Sequence, residues 1–147
     1  MTYTNEIKRK ICIMANRLKK MGLTLSAAFK KAWALVKGHT VETKIAGVTK
    51  GNRQKALYRI ATKYSPEDVA VKLVRDSANL YDNHAVRIDI SVKGSETYTM
   101  GFVPRNLAYV VSGLIDKGIE LTAAFKEVRG HYAPYMNYGA VITLQLA

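Results

Sequence analysis

Near residue 40 the period of the hydrophobic pattern changes, and that change limits what this 147-residue chain can fold into. Upstream, in "TNEIKRKICIMANRLKKMG", Ile7, Ile11, Met14, Leu18 and Met21 recur at alternating steps of four and three, one stripe of an α-helix. Thr4 or Asn5 suits the start of that helix and Gly22 the left-handed position past its end. In "LTLSAAFKKAWALVKG", Leu25, Phe29, Trp33 and Val36 share a second face and Gly38 is the stop. A link of a few residues makes the pair an antiparallel hairpin. Phe29 and Trp33 read as its packed seam, in preference to a base-stacking role. Downstream, "KIAGVTK", "DVAVKLVRD", "HAVRIDISV" and "TYTMGFV" alternate or form compact apolar runs, the mark of strands.

The turn residues "KGSE" at 93–96 join two of these strands. Pro104 then opens "PRNLAYVVSGLIDKG", whose Leu107, Val110, Val111, Leu114 and Ile115 form a broad apolar helix face ended by Gly118. "IELTAAFKEVRGHY" and "YGAVITLQLA" return to strand pattern across "APYMN". The expected fold class is α+β. Residues 1–40 form a basic two-helix hairpin, and residues 44–147 a small, mostly antiparallel β-barrel with one inserted helix. "GLTLSAAFKK" at 22–31 echoes "GIELTAAFKE" at 118–127, yet nothing around either copy repeats. The first is expected to be helical and the second extended, since context overrides weak local propensity.

The charge is as unevenly placed as the pattern. Residues 1–63 carry 15 Lys and Arg against Glu6 and Glu42, a net of +13, whereas residues 64–147 carry 8 against 9 Asp and Glu, a net of −1. Such segregation points to a polyanion-binding face. Nucleic acid is the commonest such partner, because basic side chains release counterions condensed on phosphates; the alternative is a solvated helix surface. No apolar run approaches the ~20 residues that span a bilayer, no signal-peptide core is evident, and Cys12 is the single cysteine, so no membrane partner is expected and the expected compartment is the cytoplasm.

One stretch carries more polar chemistry than its place requires. "RDSANLYDNHAVRI", residues 75–88, links two strands without a glycine, although a short hairpin needs only two turn residues. The longer "LVRDSANLYDNHAVRI" and, after the hairpin, "MGFVPRNLA" together resemble the HIRAN domain family, a small β-barrel module, with "GVTKGNRQKAL" similar to the family's opening strand and basic loop. The resemblance covers about residues 44–147. It implies non-catalytic capture of the 3′-hydroxyl end of single-stranded DNA, with Asn79, Tyr81 and Asp82 at the family's end-capturing positions and Arg105 at its basic position opening the helix. The family's opening loop also supplies an aromatic. Here "TKGNRQ" has none, Tyr58 or a tyrosine of "PYMNY" is the candidate substitute, and His84 stands where the family has Asn.

The residues support that chemistry on their own terms. Tyr81 can stack a base, Asp82 can accept a terminal hydroxyl, and Arg53, Lys55, Arg75 and Arg105 can hold neighbouring phosphates. Each also has a structural role open to it. Asn79 and Asp82 can close the loop on its backbone, Tyr81 can be a core or rim tyrosine, and Arg75 and Arg105 can pair with Asp76 or Asp116.

Against an enzyme, His39, His84 and His131 lack metal-ligand spacing, no phosphate-binding GxxxxGK[ST] occurs, and no nucleophile elbow is present. Asp76, Asp82 and His84 fall short of a two-metal cluster. No cofactor is expected. The reading is an adaptor in DNA repair or replication, partnered with a helicase or nuclease on a separate chain. The alternatives are a protein-interaction module and a duplex-binding regulator that uses the N-terminal hairpin.

Overall fold

The computed structural model describes residues 38–130 and 136–147, together with Arg9, Ile13, Lys30, Lys31, Ala34 and Leu35. The expected N-terminal hairpin, with both its apolar stripes, otherwise lies outside the described residues. Six strands, β1 (Val41–Lys44), β2 (Val69–Arg75), β3 (Val86–Val92), β4 (Tyr98–Phe102), β5 (Leu121–Gly130) and β6 (Tyr138–Leu146), form one sheet in the order β1-β6-β5-β2-β3-β4. Every neighbouring pair is antiparallel. The sheet curls until its two edges meet. Just past β1, Ala46 donates its N–H to the Phe102 carbonyl at 2.8 Å and accepts from the Phe102 N–H at 2.9 Å. This rung joins the first strand to the last and makes a partly open barrel.

Gly101 permits the rung to form. A side chain there would put its Cβ 2.2 Å from the Ala46 carbonyl oxygen and 2.6 Å from Ile45 Cγ2. In the β3–β4 turn, Lys93 and Gly94 both have positive φ, and Ser95 donates its N–H to the Val92 carbonyl at 2.9 Å. That is the backbone a tight antiparallel connection needs, because its twist matches that of the strands. Nearby, Asp89 is only 8% exposed. It accepts from Arg87 at 2.9 and 3.0 Å and from the Thr99 hydroxyl at 3.0 Å. Those bonds compensate the carboxylate's desolvation, and the same pairing raises the Arg87 guanidinium above its usual value.

Two helices cover the sheet. The expected one, α2 (Arg105–Asp116), lays Leu107, Ala108, Val110, Val111 and Leu114 on a core that includes Val86, Ile88, Ile90, Met100, Ile142 and Leu144. The second, α1 (Arg53–Lys63), occupies a stretch the sequence analysis read as basic loop. It buries Leu57 and Ile60, with Ala56 packed beside them. Gln54 anchors its first turn by imitating a strand: its amide donates to the Tyr138 carbonyl at 2.9 Å and accepts from the Tyr138 N–H at 2.8 Å.

The N-terminal segment reaches the same core. Ala34 and Leu35 are helical, Gly38 follows with φ +83°, and Gly38 and His39 donate to Leu35 and Ala34 at 3.0 and 2.9 Å. This double-bonded helix end is the stop expected at Gly38. Leu35 itself is fully buried within the barrel's core. Leu35→Ala is therefore expected to cost about 2–5 kcal/mol through lost burial and a residual cavity, read as a lower urea midpoint. An unchanged midpoint would show that this segment does not pack on the barrel.

Candidate nucleic-acid interface

The polar link between β2 and β3 is held by its own side chains. Arg75, at the end of β2, donates from Nη1 to the Ala85 carbonyl at 3.0 Å, from Nη2 to the Asn83 carbonyl at 2.7 Å, and from Nε to Asp116 Oδ1 at 3.1 Å. One guanidinium thus ties the far end of the loop back to the end of β2 and to the last residue of α2. Inside the loop, Asn79 Oδ1 accepts from the N–H groups of Tyr81 and Asp82 at 2.9 and 3.1 Å, and Asn79 Nδ2 donates to Asp76 Oδ2 at 3.1 Å. Asp82 Oδ1 accepts from the His84 N–H at 2.9 Å. Short Asn and Asp side chains can replace missing backbone partners in this way, which explains why the link needs no glycine.

With the backbone so fixed, Leu80 and Tyr81 project outward, 96% and 94% exposed. His84 turns the other way, its ring 4.5 Å from that of Tyr109 on α2. Tyr81 stands at the rim of a groove of about 410 Å³. Asn79, Tyr81 and Asp82 form one wall; Phe102, Val103 and Arg105, from the β4–α2 junction, form another; Ala46, Gly47 and Lys50 complete it. The closing rung of the barrel, Ala46 with Phe102, therefore lies within the groove lining. The groove presents two cations, one carboxylate, two aromatic rings and an amide.

Four of the seven sequence-derived candidates, Asn79, Tyr81, Asp82 and Arg105, meet in this groove. Arg75 does not line it, and three of its nitrogens are bonded within the protein, the Asp116 pairing among the alternatives weighed from sequence. Arg53 donates to the Gly47 carbonyl at 2.7 Å and lines a neighbouring cleft, while Lys55 is exposed on α1 and lines neither. Tyr58 is also away from the groove, its ring centroid 6.2 Å from that of Tyr138. Tyr135 of "PYMNY" lies outside the described residues. Sequence reasoning missed Lys50 and Phe102. The signal for Phe102 was its place in "MGFVPRNLA", between Gly101 and the buried Val103, where strand alternation sets it on the face opposite Val103.

Among the described residues, no three His, Cys, Asp or Glu side chains converge so as to hold a metal ion, and no helix is long and apolar enough to cross a membrane. A curled antiparallel sheet with a cationic, aromatic groove over its seam defines a small, partly open β-barrel module. Residues 39–142, more than half of the chain, match the HIRAN domain, and the protein belongs to that family of generally DNA-binding, non-catalytic modules. Two solved structures are similar to it. A structural-genomics protein from Lactobacillus plantarum is 17% identical, with a TM-score of 0.47, covering 72% of this chain and 96% of its own. The HIRAN domain of human HLTF is 16% identical, with a TM-score of 0.41, covering 73% of this chain and 76% of its own. No curated protein sequence matches the chain.

Proposed function

We propose that the groove captures the 3′-hydroxyl end of single-stranded DNA. The observation that carries this reading is the pairing of an almost fully exposed phenol, Tyr81, with the Asp82 carboxylate in a groove flanked by Lys50 and Arg105. A terminal base stacks on Tyr81, with Phe102 as the aromatic that "TKGNRQ" does not supply. Asp82 accepts the terminal hydroxyl through Oδ2, since Oδ1 is bonded to the loop. A carboxylate accepts hydrogen bonds but cannot donate them, so a strand that continued past this point would bring its phosphate against like charge. Arg105 and Lys50 hold the preceding phosphates, with Arg53 and Lys55, on α1, adding positive charge outside the groove lining. Arg75 supports the site by fixing the loop. The protein then acts as an adaptor that presents strand ends to a helicase or nuclease on a separate chain during repair.

Oligonucleotides that differ only at their ends test this. Binding to a 3′-hydroxyl end is expected to be tightest, to fall about tenfold or more with a 3′-phosphate, as one like-charge contact in a groove warrants, and to weaken steeply with salt. Asp82→Asn should narrow the gap between the two ends. Equal affinity for 3′-hydroxyl, 3′-phosphate and 5′-phosphate ends would remove end capture and leave general strand binding.

A further inference from the structure

A second, larger cleft, of about 540 Å³, lies across the turn from the first groove. The turn at Gly47–Lys50 forms the ridge between them: Lys50 lines both, and Arg53, in the second cleft, is bonded to the carbonyl of Gly47, in the first. The cleft is walled on one side by α1, through Arg53, Arg59 and Ile60, and on the other by the β3–β4 hairpin and Tyr98, with Tyr64 at the helix end. Among the described residues, no carboxylate lines it. Burial pushes the Tyr98 phenol up even though Arg59 is near, so it remains a neutral hydrogen-bond donor. Three cations around apolar and aromatic surface match the two faces of a nucleotide, a flat base and a charged phosphate.

We infer that this cleft binds an upstream nucleotide of the strand whose 3′ end occupies the first groove, so that one strand crosses the Gly47–Lys50 ridge with Lys50 on the phosphate between the two sites. The inference rests on the end-capture reading above and adds where the rest of the strand goes. A bound path on the hairpin side also explains the use of α1: it brings Arg53 and Arg59 to a barrel whose own sheet supplies no cation to the cleft lining. The strand is engaged at two fixed points, and affinity depends on length in steps rather than smoothly.

Thymidine oligonucleotides of two to eight residues with 3′-hydroxyl ends, titrated against the full chain, provide the test. Affinity is expected to rise about tenfold when the oligonucleotide becomes long enough to cross the ridge, one stacked base being enough for that, and to change little with further length. Arg59→Glu, at an exposed position, should abolish the step while preserving dinucleotide binding and its preference for a 3′-hydroxyl over a 3′-phosphate. Lys63→Glu makes the same charge change on the same helix outside the cleft lining and should keep the step. A smooth length dependence, or a step equally lost in both variants, would overturn the inference while end preference stands. Loss of end preference in the unmodified protein would instead overturn the reading beneath it.

Discussion

Replacing Gly101 with alanine is expected to cost about 3–5 kcal/mol of folding stability, a large part of what a domain of this size has. The required φ is not the reason, because Gly101 is not among the glycines with positive φ. Space is the reason. The added methyl would sit 2.2 Å from the Ala46 carbonyl oxygen, a backbone atom that cannot rotate away. That oxygen accepts the Phe102 N–H, so any retreat breaks the rung that closes the barrel. Overpacking of this kind costs about 1–3 kcal/mol, and two backbone hydrogen bonds lost at a partly buried seam add about 1 kcal/mol each.

The comparison that isolates the cause is Gly94→Ala. Gly94 has φ +76° but nothing within 4 Å of a new Cβ, so the change carries only the conformational penalty, about 1 kcal/mol. Urea denaturation of the two variants separates them. A Gly101→Ala midpoint no lower than that of Gly94→Ala would mean the seam is looser than it looks. Because Ala46 and Phe102 also line the groove, Gly101→Ala should lose DNA binding together with its fold.

The sequence showed the parts of this barrel better than their arrangement. Strands β2 to β6 were visible because each alternates or runs apolar, and α2 because Pro104 precedes a five-residue apolar face. The "TAAFKE" echo is extended, within β5, as expected; of its helical counterpart only Lys30 and Lys31 are described, both helical. Helix α1 was missed although Ala56, Leu57, Ile60 and Tyr64 have helical spacing. Its face is only two buried residues wide, and similarity to a familiar loop outweighed that short signal. The order β1-β6-β5-β2-β3-β4 depends on contacts far apart in sequence, which local periodicity does not encode.

The candidate site was legible in kind but not in detail. The density of Arg, Asp and Asn in residues 75–84 announced unusual chemistry. Which groups face outward depended on bond geometry: Arg75 and Asn79 are drawn into the loop, whereas Tyr81 is released from it. Phosphate-facing candidates chosen by charge alone therefore included Arg75 and Lys55, which do not line the groove, and left out Lys50, which does.

That release makes Tyr81 the cleanest probe of the proposed function. Its side chain is 94% exposed and buries almost nothing, so Tyr81→Ala is expected to change folding stability by less than about 0.5 kcal/mol. Asn79 holds the backbone N–H of residue 81, which alanine retains, so the loop keeps its shape. Binding should respond very differently. Loss of one base–aromatic stack costs about 1–3 kcal/mol, or roughly 5- to 150-fold in affinity, for a short single strand with a 3′-hydroxyl. Tyr81→Phe keeps the ring and is expected to bind within about twofold of the native protein, since stacking uses the π-face. Fluorescence anisotropy beside a thermal melt reads both effects in one sample set. If Tyr81→Ala bound as tightly as the native chain, the ring would not be a stacking platform. If Tyr81→Phe were as weak as Tyr81→Ala, the hydroxyl would carry the contact and the groove would recognise its ligand by hydrogen bonding instead.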